Sequence, residues 1–183
     1  MNRLLLLALL ILSFGCSGLQ QKPANGIVYT TQSIADEVGV GNYDALCTWI
    51  HTHLTYKTDR TAADEWKDPA VTLKDRTGDC EDLALVSLDV LRIWGVKDSY
   101  LMGVSNVARK TGHVVTFFRD KPTDDWRIFS NDDTQLYNGG RTLDDVMRKV
   151  GSLMRYGGNL EYQLANNKNE NIPPESRETY GLV

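Results

Sequence analysis

The chain has 183 residues, 42% of them hydrophobic and 24% charged, enough to bury one substantial core as a single domain. Its formal charge is −4, with Lys and Arg spread along the sequence rather than bunched, which argues against a nucleic-acid partner. No internal repeat is visible.

Residues 1–16, MNRLLLLALLILSFGC, carry one arginine, then a run of Leu, Ala and Ile, then small residues ending at Cys16. The apolar run is too short for a mature membrane-spanning helix and has the layout of a secretion signal, so it is set apart from the fold. Gly15 followed by Cys16 resembles the lipobox of bacterial lipoproteins, with Ser13 and Phe14 standing where an aliphatic and a small residue are usual. That resemblance implies acylation of Cys16 and a stable membrane anchor. Ser17 resembles the outer-membrane sorting pattern, so the expectation is an exported protein anchored to the outer membrane and facing the periplasm.

Residues 17–40 read as a linker and leading segment, polar around Pro23 and Gly26. A helix is predicted over 42–57, where Leu46, Trp49, Ile50 and His53 recur at three- and four-residue steps. Cys47 then falls in or beside the core. Its alternative is a disulfide with Cys80, the other cysteine left once Cys16 is set aside. Pro69 fits the start of a short helix, broken by Gly78 and Asp79. From Cys80 the apolar positions Leu83, Leu85, Val86, Leu88, Val90, Leu91 and Trp94 are dense on all but one face, which predicts a buried helix ending at Gly95.

The period then becomes extended. SYLMGVS, HVVTFFR and WRIFS, at 99–105, 113–119 and 126–130, are rich in β-branched and aromatic residues and predict three antiparallel strands. A weaker amphipathic helix is expected over 142–155, one more strand at LEYQLA, 160–165, and a loose polar tail over 166–183. The layout is α+β, helices first and sheet second, in one domain over 41–165.

A cysteine in the first turn of a buried helix faces unpaired backbone N–H groups and the positive end of the helix dipole, both of which favour thiolate. Cys80 is therefore a candidate nucleophile. His113, opening the second strand, is the candidate base. A third group should hold the imidazole, and the next strand ends in Ser130, Asn131 and Asp132. The bland reading keeps Cys80 as a small core residue and His113 as a satisfied polar group.

The stretch DEWKDPAVTLKDRTGDCEDLALVSLDVLRIWGV, 64–96, followed by GHVV at 112–115, resembles the bacterial transglutaminase-like cysteine proteinases, a branch of the papain-like and transglutaminase-like fold. The likeness covers roughly residues 40–135 and implies an N-terminal set of helices with the nucleophile helix packed on a small antiparallel sheet. It also implies Cys80 as nucleophile and His113 as general base. The family ends its next strand with a hydrophobic residue and Asp-Asn, whereas here Phe129 precedes Ser130, Asn131 and Asp132. Asn131 is the expected third residue, Asp132 the alternative, and Ser130 would mean a weakened or lost triad.

The implied reaction is acyl transfer from a protein or peptide through a thioester, completed by water in proteolysis or deamidation or by an amine in cross-linking, with backbone N–H groups near Cys80 as oxyanion donors. Proteolysis is expected. A catalytically silent peptide-binding module of the cell envelope is the competing reading. No cofactor is required. The resemblance implies calcium at Asp79 and Glu81, by analogy with periplasmic adhesin-cleaving members. Without a metal, Asp79 would cap the helix while Glu81 and Asp82 complement its dipole. His51 and His53, two residues apart on a helix, make a poor metal pair. Trp66 and Trp126 are candidates for a substrate cleft, Trp94 for the core, and the acids of DDWRIFSNDD read as solvated turn residues.

Overall fold

The computed structural model describes residues 28–58, 66–154 and 160–165. The signal and lipidation site over 1–16, and the tail from 166, lie outside the described residues. In chain order the elements are α1 (Thr31–Val38), α2 (Tyr43–His53), β1 (Thr55–Tyr56), α3 (Pro69–Asp75), β2 (Thr77–Gly78), α4 (Cys80–Ile93), β3 (Ser99–Asn106), β4 (Thr111–Asp120), β5 (Asp125–Phe129), β6 (Tyr137–Gly140), α5 (Leu143–Leu153) and β7 (Leu160–Ala165).

Helix α4 is the centre of the fold, as its nearly continuous apolar surface predicts. Leu83, Ala84, Val86, Leu88, Val90 and Leu91 are all buried, each such side chain contributing about 1.5–3 kcal/mol where it is a full-sized aliphatic. The helix ends in a Schellman motif: Val96 N–H donates to the Leu91 carbonyl (3.0 Å) and Gly95 N–H to that of Arg92 (2.9 Å). Gly95 has φ +77°, a conformation that a Cβ would strain.

The main sheet has the order β6-β5-β4-β3-β7, with every neighbouring pair antiparallel. Strand periodicity divides β4 between two cores. Val115 and Phe117 pack with Val146, Met147 and Val150 of α5, whereas Phe118 joins the residues of α1, α2 and α4. The sheet is thus a middle layer between the four leading helices and α5. A buried polar contact fixes α4 on it: Thr116 donates to the Ala84 carbonyl (2.7 Å) and accepts from Ser87 (2.8 Å).

Three features depart from the sequence expectations. Helix α1 occupies part of the expected linker, started by a capping box in which Thr30 and Ser33 bond each other's backbone N–H. The helix expected over 42–57 stops at His53, because Leu54 turns to extended backbone and the chain enters β1, which pairs in parallel with β2. Strand β6 adds an edge beyond β5 that was not foreseen. The alternative disulfide is not formed: Cys47 and Cys80 are both free, and Cys47 is sealed in the core. Among the described residues no helix is long and apolar enough to cross a membrane.

Candidate active site

The entry to α4 is held from several directions. β1 clamps the preceding segment through Thr55 N–H to the Arg76 carbonyl (2.9 Å) and Lys57 N–H to that of Gly78 (2.8 Å). Gly78 is required by close approach rather than by its dihedral angles, since a Cβ there would lie 2.5 Å from the Cβ of Asp82. Asp82 is itself wholly buried and accepts from both the backbone N–H (2.8 Å) and the ammonium (2.7 Å) of Lys67. These contacts set Cys80 at the first position of α4.

Cys80 lies against the strand of His113, close enough for the Val114 backbone N–H to act on Sγ. The thiol in turn donates to Glu81 Oε2 (3.2 Å). Burial, then the Glu81 carboxylate and its hydrogen bond, push the Cys80 thiol up to about 12, with the Val114 N–H pulling the other way. The partial burial of the sulfur and the two acids beside it act against the thiolate that the helix N-terminus favours. Burial lowers the pKa of His113 below the ordinary imidazole value, opposed by the negative charge of Asp132. Both shifts favour the uncharged forms, thiol and neutral imidazole.

The side chain that meets the His113 ring is that of Ser130, with Nε2 and Oγ 2.8 Å apart and Ser130 fully buried. The structure does not bring Asn131 or Asp132 into that position. Asn131 offers its carbonyl to His51 Nε2 (3.1 Å), and its side-chain oxygen is buried without a hydrogen-bond partner. Asp132 is exposed and accepts from the Tyr137 hydroxyl (3.4 Å). The cause is register. Thr116 pairs with Phe129 as the last rung of the β4–β5 ladder, and the next residue, Ser130, turns its hydroxyl to the ring. In the tautomer whose Nε2 donates to Ser130, the Nδ1 lone pair is the basic atom; in the other, the Ser130 hydroxyl donates to Nε2.

Asp79, Glu81 and Asp82 each place a carboxylate oxygen within 4.8 Å of the others, and all three residues are buried. Asp79 makes no side-chain cap hydrogen bond, contrary to the capping expectation, and its Oδ1 is buried with no hydrogen-bond partner. An orphaned buried carboxylate oxygen beside two further acids fits a hard divalent cation. Elsewhere, His53 stacks on Trp49 with ring centroids 4.2 Å apart, Trp94 donates to the Ala35 carbonyl (3.1 Å) in the core, and Arg119 lies over Trp126. Trp66 packs against the Ala84, Leu88 and Leu101 cluster between α4 and the sheet. Nothing in the sequence pointed to Lys67 as the partner of Asp82 or to Val114 N–H as a donor to sulfur, because both contacts depend on tertiary placement of backbone.

The family model of the transglutaminase-like superfamily matches residues 28–130, more than half of the chain. The chain belongs to the transglutaminase-like superfamily. Among solved structures, calcium-bound Legionella pneumophila LapG is similar with a TM-score of 0.54 and 17% identity, covering 81% of this chain and 78% of that one. A second structure of Legionella pneumophila LapG aligns with a TM-score of 0.47 and 20% identity over 59% of this chain, which spans 64% of that chain. No curated protein matches the sequence. The α+β transglutaminase-like fold expected from GDCED and GHVV is the fold of this superfamily member.

Proposed function

We propose that this transglutaminase-like protein is a thiol-dependent acyl-transfer enzyme, a cysteine peptidase that cleaves a protein or peptide through Cys80, His113 and Ser130. The observation that carries the reading is the junction of α4 and β4. The Val114 N–H, next in the chain after His113, acts on Cys80 Sγ, and the His113 imidazole meets the Ser130 hydroxyl.

Uncharged resting forms, which both shifts favour, suit a concerted order of events. A neutral thiol beside a neutral imidazole transfers its proton to His113 Nδ1 as sulfur attacks the carbonyl carbon, rather than from a preformed ion pair. The tetrahedral oxyanion is met by backbone N–H groups at the start of α4. On collapse the C–N bond breaks, His113 returns the proton to the leaving amine, and a thioester remains. Water, deprotonated by the same histidine, then releases the acid and restores the thiol. Ser130 accepts from Nε2–H throughout and keeps the reactive tautomer.

Asp79 and Glu81, with Asp82 beside them, are the residues that would hold calcium, as the calcium-bound LapG structure suggests. When bound, the cation supplies positive charge that offsets these carboxylates beside the thiol. We further infer export and an outer-membrane lipid anchor on Cys16, facing the periplasm, from the sequence of residues 1–16. The second reading, a catalytically silent peptide-binding module, is favoured by the thiol held near 12 and by an uncharged Ser130 at the third position.

Iodoacetamide labelling of the domain lacking residues 1–16, followed by mass spectrometry at Cys80 and Cys47 across a pH series with and without calcium, separates the two. Catalysis requires Cys80 to label faster than buried Cys47 and to slow on His113→Ala. Equal, slow labelling of Cys80 in both proteins under every condition moves the binding module to the front.

A further inference from the structure

The loop that carries Ser130 is fastened from outside the sheet. Two side chains one turn apart on α2 reach its carbonyl oxygens: His51 Nε2 lies 3.1 Å from the Asn131 oxygen, and the Cys47 thiol donates to the Asp133 oxygen at 3.6 Å. The other nitrogen of His51 lies 3.0 Å from its own helix, at the Cys47 carbonyl. Phe129, the last residue of β5, packs its ring 5.9 Å from that of His51. Two loop carbonyls are thus gripped immediately after Ser130, and neither grip touches Cys80 or His113.

We propose that His51, assisted by Cys47, is a positioning residue that acts through the 131–133 loop to keep the Ser130 hydroxyl on His113. The chemistry constrains the ring. The loop contact uses a proton on Nε2, whereas a proton on Nδ1 would serve the Cys47 carbonyl 3.0 Å away, so loop and helix compete for the one N–H of a neutral ring. The sulfur of Cys47, 3.9 Å from His51 Nδ1, has two acceptors within reach, that nitrogen and the Asp133 carbonyl. Of the two, the Asp133 carbonyl is the nearer, at 3.6 Å. Ser130 needs such support because an uncharged hydroxyl attracts the imidazole far less than a carboxylate would, so its contact depends on placement. This inference rests on the catalytic reading only for its purpose; the mechanical link from α2 to His113 stands or falls by itself.

The test uses the protein labelled with 15N, comparing His51→Ala and His51→Gln with the parent. The ring nitrogens of His113 report its tautomer by NMR, and amide exchange reports the loop. His51→Ala is expected to convert the single Nε2–H form of His113 into a mixture and to quicken exchange at residues 131–133 by about tenfold, the loss of one loop hydrogen bond. Amides of α4 should stay unchanged, and His51→Gln, which keeps a side-chain N–H donor, should restore much of both effects. An unchanged His113 tautomer in His51→Ala, with or without a loosened loop, overturns the proposal. Should that variant fail to fold, Cys47→Ala, which removes only the Asp133 contact, must produce the same changes in smaller degree, and its failure to do so overturns the proposal equally. The catalytic reading fails separately, if Cys80 labelling in the parent is indifferent to His113→Ala.

Discussion

The Lys67–Asp82 pair near Cys80 should respond asymmetrically to removal of either partner. Asp82 is fully buried, whereas the Lys67 side chain is 27% exposed, so each partner left behind meets a different environment. In Lys67→Met the carboxylate keeps the backbone N–H at 2.8 Å but loses its cation. Stranding a buried charge costs about 3–5 kcal/mol, and the retained bond brings the expectation to about 3 kcal/mol. In Asp82→Asn the shape and one acceptor persist, and the ammonium can turn to water, so about 1–2 kcal/mol is expected. Urea denaturation measures both: the midpoint should fall further for Lys67→Met at an unchanged slope, with a drop in Tm of roughly 6–12 °C for a domain of this size. Equal losses, or losses under about 1 kcal/mol in both variants, would refute the argument and reduce the pair to a screened surface bridge.

Other consequences follow from His113 and Gly151. Because burial lowers the folded-state pKa of His113, the unfolded chain binds more protons once the pH drops below the ordinary imidazole value of 6.5. Stability from this group is therefore level above that pH and is lost as pH falls through 6.5 toward the folded value; His113→Gln should flatten that part of a urea-midpoint series, and an identical slope in the variant would contradict the assignment. Gly151→Ala should destabilise α5 despite the usual gain of about 1 kcal/mol in helix propensity, since the new Cβ would lie 2.4 Å from the Tyr162 hydroxyl. That hydroxyl is buried without a hydrogen-bond partner, so Tyr162→Phe should be neutral or stabilising alone and should rescue Gly151→Ala in thermal melts.

Legibility in the sequence tracked how locally each feature is determined. The length and apolar density of α4, the period-two runs of β3 to β5 and the segment 160–165 were readable because burial writes itself into spacing. Helix α1 was missed because its eight residues carry few apolar positions, although the capping pair Thr30 and Ser33 was a usable signal. Strands β1 and β2, two residues each, exist only through pairing across the chain. At the candidate site, the GDCED and GHVV motifs singled out Cys80 and His113 as candidates. Ser130 could not be chosen over Asn131, because a one-residue offset at a strand end is decided by the Thr116–Phe129 rung and not by residue type. The high thiol pKa was hidden for a similar reason: helix position was visible, but the partial burial that reverses its effect was not.

The placement of β7 has a consequence for biogenesis. β3 lies inside the sheet only because the final strand, Leu160–Ala165, docks along Ser99–Asn106 on the side that β4 leaves open. Whether the chain emerges from the ribosome or through a membrane, the segments bearing His113 and Ser130 come out before that partner does. Until residue 165 arrives, the growing chain carries a half-paired β3 with Met102 and Val104 on it, the sort of edge on which chains adhere to one another. Completion of the sheet is thus deferred to the last described segment, and cellular holding factors would have the longest exposed interval to act on at β3.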